Sequence, residues 1–155
     1  MEPTSSTPDL AFLEELRRRR AELLEAMNAV EQALAAPVPG REARWAERVH
    51  VALVELSADF REHIDITEGP NGLYRELLRT APRLSGAVAC LTGEHAVIGD
   101  LINELLARVG EPELNQDVDT VRDRGTALLA ELARHRQRGS DLIYEAYASD
   151  IGGET

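Results

Sequence analysis

Along its final stretch this chain steps Val118, Val121, Gly125, Leu128, Leu132, His135, Gly139, Leu142, Ala146 and Ser149, alternating three and four without a slip. That period is the inward seam of a long bundled helix. The seam puts a histidine where a core leucine belongs. Two other stretches do the same: Trp45, Val49, Leu53, Leu56, Phe60, His63 and Thr67 form one seam, and Leu84, Val88, Leu91, His95, Ile98, Ile102, Leu105 and Val109 form another. A chain patterned this way has to pack helices against one another and bury three imidazoles.

Punctuation between the seams sets the architecture. Residues Met1 to Thr7 read as a flexible polar lead, followed by a single domain over residues 8–153. Asp9 is a plausible N-cap for a first helix carrying Leu13, Leu16, Leu23, Met27, Val30 and Leu34, which Pro37, Pro39 and Gly40 end. On that helix Arg17 to Arg20 lie within about a turn of Glu14, Glu15, Glu22 and Glu25, so they read as a solvated, ion-paired face. A second helix runs from about Glu42 to Glu68. The breaker cluster Glu68-Gly69-Pro70-Asn71-Gly72 interrupts it, and a short helical piece from Leu73 to Arg79 ends near Pro82. A third helix covers about Arg83 to Val109, and Gly110 and Pro112 separate it from the last. Aromatic residues are only 4% of the chain and no hairpin turn lies between alternating apolar runs, so strands have little support. The expectation is all-α: an antiparallel up-down four-helix bundle with a kinked second arm, where inward side chains on facing helices build cofactor sites.

The depths of the histidines follow by counting from the turns. His63 lies seventeen residues before a turn near Thr80, His95 about thirteen after it and fifteen before Gly110, and His135 about eighteen into the last helix. At 1.5 Å per residue these offsets differ by roughly 5–6 Å, about one turn, so the three can share a layer. His50 misses that layer by roughly 20 Å on the same count, and a surface position is expected for it.

A net charge of −11 argues against a phosphate-tracking surface, so nucleic acid is not an expected partner. A single cysteine, Cys90, cannot form an internal disulfide, and no apolar run reaches membrane-spanning length. No membrane association is expected, and a cytoplasmic location fits. Cys90 falls off the seam and reads as a small buried or half-buried thiol.

A neutral imidazole in an apolar core still needs partners for both ring nitrogens, which a metal or a polar network supplies. His63, His95 and His135 are therefore candidate metal ligands. Among nearby carboxylates Glu68 is the favoured fourth ligand, because a π-like widening at the Gly-Pro break would bring a residue five after His63 onto its face. Glu94, Asp141 and Glu145 are further candidates at boundary positions of their helices.

The segments Phe60-Arg61-Glu62-His63-Ile64-Asp65-Ile66-Thr67-Glu68, Gly93-Glu94-His95, and Arg134-His135 through Ser140, Asp141 and Glu145 resemble the bacterial hemerythrin-like (HHE cation-binding) domain proteins. The resemblance spans about Glu42 to Gly153. It implies a non-haem iron centre, typically two bridged irons in a four-helix bundle, handling dioxygen, peroxide or nitric oxide, or sensing iron or redox state. The family commonly adds a first-helix histidine, where this chain offers only Glu14 and Glu15 near the layer. It commonly adds carboxylates four after the second-helix histidine and five after the fourth-helix histidine, where Thr67 and Ser140 stand here. Its third helix often pairs two histidines four apart, and Leu91 and Gly99 hold those places. A mononuclear iron, manganese or zinc site of three histidines fits these residues as well. So does a metal-free helical interaction module. Whether the chain is an enzyme is left open, and a homodimer is compatible with the reading.

Overall fold

The structure, a computed structural model, describes residues 10–110 and 117–152, with side chains through Tyr147. The polar lead, the cap at Asp9, the loop after Gly110 and the seam position at Ser149 lie outside the described residues. Among those described, every regular element is helical: α1 Leu10–Ala35, α2 Glu42–Glu68, α3 Leu73–Thr80, α4 Ser85–Val109 and α5 Val118–Gly152, with a 3-10 turn at Pro82–Leu84 leading into α4. Helix α1 packs on α2 and α5, and α4 packs on the same two from the other side. The architecture is the four-helix bundle read from the seams, with a break rather than a bend between α2 and α3. No helix among the described residues is long and apolar enough to cross a membrane.

The three seams face inward as their periods require. Every seam residue of α2 and α4 is buried, as are Val121, Leu128, Leu132, His135, Leu142 and Ala146 of α5. These side chains form two apolar clusters. One, around Leu23, Leu53, Leu56, Phe60, Ile98 and Leu132, fills one end of the bundle. The other, around Leu16, Tyr74, Leu77, Leu91 and Leu142, fills the other end. The histidine layer lies between them.

Two contacts hold the arms in register. The terminal carbonyls of α1 lack partners within their own helix, and Arg122 of α5 supplies them: Nε donates to Leu34 O and Nη2 to Ala36 O, both at 2.9 Å. The same guanidinium stacks over Trp45 at 5.5 Å. At the break after α2, a Cβ on Gly72 would lie 2.7 Å from Thr67 O and 2.9 Å from Ile66 O. Backbone carbonyls cannot yield as a side chain can, so only glycine lets α3 start directly against the end of α2. That close approach delivers Tyr74 to the histidine layer.

Candidate metal centre

His63 of α2, His95 of α4 and His135 of α5 meet in the middle of the bundle, each at most 5% exposed. Their ring centroids lie 5.0 Å (His63 to His95), 5.2 Å (His63 to His135) and 4.7 Å (His95 to His135) apart. One ring nitrogen from each falls within 4.8 Å of one from both others. The layer expected from turn counting is therefore present, and His50 is exposed, away from it. Phe60, one turn before His63, forms an apolar floor. Its ring stacks on His63 at 5.7 Å and meets His95 and His135 edge-on at 5.7 and 6.4 Å.

Two carboxylates fix which nitrogen of each ring faces inward. Glu94 of α4 bonds His135 Nδ1 at 2.7 Å, and Glu68 at the end of α2 bonds His95 Nδ1. An ionised carboxylate only accepts, so the proton of each ring sits on Nδ1 and Nε2 keeps its lone pair. His63 Nε2 lies 3.1 Å from His135 Nε2, and His95 Nε2 is buried without any hydrogen-bond partner. Burial holds the His63 imidazolium form off, pushing its pKa down to about 2, with added repulsion from His95, His135, Arg20 and Arg136. Burial also lowers the His135 pKa, against the opposing pull of Glu94. These two imidazoles are thus neutral at ordinary pH, the form that binds metal.

This donor set fits a cation. Two imidazole nitrogens sharing an ion at about 2.1 Å each stand about 3.0–3.4 Å apart for bond angles between about 90° and 109°, and the 3.1 Å spacing lies in that range. An orphaned buried nitrogen costs about 1–3 kcal/mol, which a metal bond at His95 Nε2 would recover. A histidine that binds metal through one nitrogen almost always gives its other N–H to a carboxylate or carbonyl, as His95 and His135 do here.

The candidate carboxylates fall elsewhere than the inner face. Helix α2 stays α-helical through Glu68, with no π widening, so Glu68 does not join the face of His63 but reaches across to His95 on the neighbouring helix. Glu94 likewise grips a ring from outside, and Arg138 grips Glu94 in turn. Asp141 is exposed and accepts from Gln137 Nε2 at 2.9 Å, and Glu145 is exposed. Neither is brought to the histidines. Cys90 is exposed rather than buried.

Two residues that sequence reasoning passed over belong to the layer. Tyr74 of α3 stacks on His95, with centroids 6.0 Å apart and planes 9° off parallel. Burial raises its phenol pKa, a shift that its contact with the Thr67 hydroxyl only partly offsets. Tyr144 of α5, in contrast, is 75% exposed. Arg20 is the second. Arg18 and Arg19 form the expected ion-paired face with Glu15, at 2.5 and 2.6 Å, and Arg19 also pairs with Glu62. Arg20 instead turns inward, half-buried, and its Nη2 donates to Ser140 Oγ at 2.6 Å. The signal was the seven-residue gap between Leu16 and Leu23, which a seam stepping three and four fills at position 20. A second group of acids, Glu22, Asp59 and Glu62, carries the Arg19 ion pair and is a half-exposed surface.

No curated protein and no solved structure matched the chain. A family model did, over residues 12–147, a span that contains all three histidines and both carboxylates that orient them. By that match this chain belongs to the hemerythrin HHE cation binding domain family.

Proposed function

We propose that the three imidazoles hold non-haem iron and that the bundle handles or senses a small ligand such as dioxygen, peroxide or nitric oxide. The observation that carries this reading is the buried, partnerless Nε2 of His95 facing the neutral rings of His63 and His135. Imidazole donors suit iron among the first-row metals, and their neutral charge leaves the ion with a net positive charge that attracts small polarisable ligands. When bound, iron supplies a redox couple and open coordination positions. The residues of the chain do the rest. Glu68 and Glu94 hold the Nδ1 protons and so aim both Nε2 lone pairs inward. Phe60 and the two apolar clusters keep bulk water out, which restricts entry to small molecules. Tyr74 lies against His95 within the same layer, an electron-rich ring beside the ion's ligand. Cys90 is exposed, so a thiol mechanism at the triad has no support.

Metal content decides the matter. Protein purified without chelators and analysed by mass spectrometry with an absorption spectrum is expected to contain iron with near-ultraviolet or visible charge-transfer bands, both lost in His95→Ala. A protein that stays colourless and metal-free even after anaerobic ferrous loading, with a melting temperature indifferent to chelators, would instead be a metal-free helical module.

A further inference from the structure

The inward seam of α1 steps Leu13, Leu16, Arg20, Leu23, Met27, Val30 and Leu34. Arg20 therefore stands on α1 where His63, His95 and His135 stand on the other three long helices. Its backbone carbonyl accepts from Arg136 Nη1 at 2.8 Å, close beside His135 in sequence. Its guanidinium lies over α5 one turn beyond His135, so near that a Cβ on Gly139 would touch Nη1 at 3.6 Å. It donates to the Ser140 hydroxyl and reaches no carboxylate among the described residues. The neighbouring Arg18 and Arg19, by contrast, both pair with Glu15. Arg20 is thus a half-buried positive charge with no carboxylate partner among the described residues, set between Leu16 of one apolar cluster and Leu23 of the other, with the Arg136 guanidinium beside it.

What else faces that side is neutral. The Thr67 hydroxyl, buried one turn past His63, spends its proton on His63 O at 2.8 Å. Ser140 is bound to Arg20, and Tyr74 is a phenol whose burial disfavours ionisation. The two nearest carboxylates, Glu68 and Glu94, are turned to the outer nitrogens. Two divalent ions about 3.5–4 Å apart repel strongly and need anionic donors between or around them. This side offers two guanidiniums and three hydroxyls.

We propose that the centre takes a single metal ion, and that the guanidinium of Arg20 stands as a fixed cation that closes the α1 side to a second. The proposal rests on the iron-centre reading above. It makes Arg20 a positioning residue that sets metal count and affinity without itself binding metal. A positive charge beside the site also weakens the first ion, so removing it tightens binding.

The test uses the full chain, loaded anaerobically with excess ferrous ion and freed of the surplus, then read by native mass spectrometry and elemental analysis. One iron per chain is expected. Two irons per chain would overturn the single-ion assignment while leaving the iron centre intact, and none would overturn both. Metal affinity is then measured by competition with a chromophoric chelator in two variants. Arg20→Gln, which keeps a donor for Ser140 but removes the charge, is expected to bind ferrous ion about tenfold more tightly. Arg20→Lys, which keeps the charge, should stay within about twofold of wild type. Equal affinity in wild type and Arg20→Gln would overturn the role given to the guanidinium. The stoichiometry of the wild-type chain needs no variant and stands even if one fails to fold.

Discussion

Glu94 accepts a hydrogen bond from His135 Nδ1–H at 2.7 Å across the α4–α5 interface, while Arg138 holds the same carboxylate from outside. The consequence lies on the far side of the ring, where Nε2 is left 3.1 Å from His63 Nε2. One carboxylate thus selects a tautomer in the interior, and the same logic couples Glu68 to His95.

Glu94→Gln tests that coupling. The amide oxygen can still accept from Nδ1, but the charge that favours this tautomer and raises the basicity of the ring is gone. Metal affinity is expected to fall about 10- to 100-fold, with the fold intact by circular dichroism. Chelator competition measures it, and an unchanged dissociation constant would show that Glu94 merely decorates the interface.

Acid should unfold the metal-free protein, and the sign follows from the lowered pKa values of His63 and His135. Both bind fewer protons folded than unfolded below the ordinary histidine value of about 6.5, so stability is complete above that pH and falls as pH drops. For His63 the window extends down to about 2. Between pH 6.5 and 5 that residue alone removes about 2 kcal/mol. Urea denaturation of chelated protein at pH 7.5 and pH 5 checks the drop, and His63→Leu should shrink it by about one proton's worth of slope. A pH-independent midpoint over this range would contradict it.

His95→Leu should separate function from stability. Leucine has a comparable volume and removes the buried Nε2 that lacks a partner, so the metal-free variant is expected to be more stable than metal-free wild type by about 1 kcal/mol, even though Glu68 loses its partner near the surface. The order reverses with metal present, because only wild type gains binding free energy on top of folding. Thermal melts with and without chelator give all four values. A variant less stable than metal-free wild type would mean that the His95–Glu68 bond outweighs the orphaned nitrogen.

Helix number, the inward faces and the shared depth of His63, His95 and His135 were all legible in the sequence. Each depends on a local period and a count of residues between breaks, and both survive folding unchanged. Arg20 was missed, although the α1 seam leaves a slot at its position between Leu16 and Leu23. Composition hid it: four consecutive arginines among glutamates look like a solvated face, and three of them do point outward or pair at the surface.

The carboxylates could not be read the same way. Glu68 and Glu94 sit beside the seam, where one rotamer points outward and another crosses to the next helix. Which is taken depends on a histidine that is far off in the chain, 27 residues from Glu68 and 41 from Glu94. Tyr74 was out of reach for a related reason. Its place depends on the angle at which the chain leaves Gly72, set by contact with the Thr67 and Ile66 carbonyls rather than by any period. The sequence by itself determined four helices and a buried layer of three imidazoles, because helical spacing is a property of the local chain. Only the tertiary structure decided which nitrogens face inward, which acids hold them there and that a guanidinium completes the layer, because those choices are made by side chains meeting across helices.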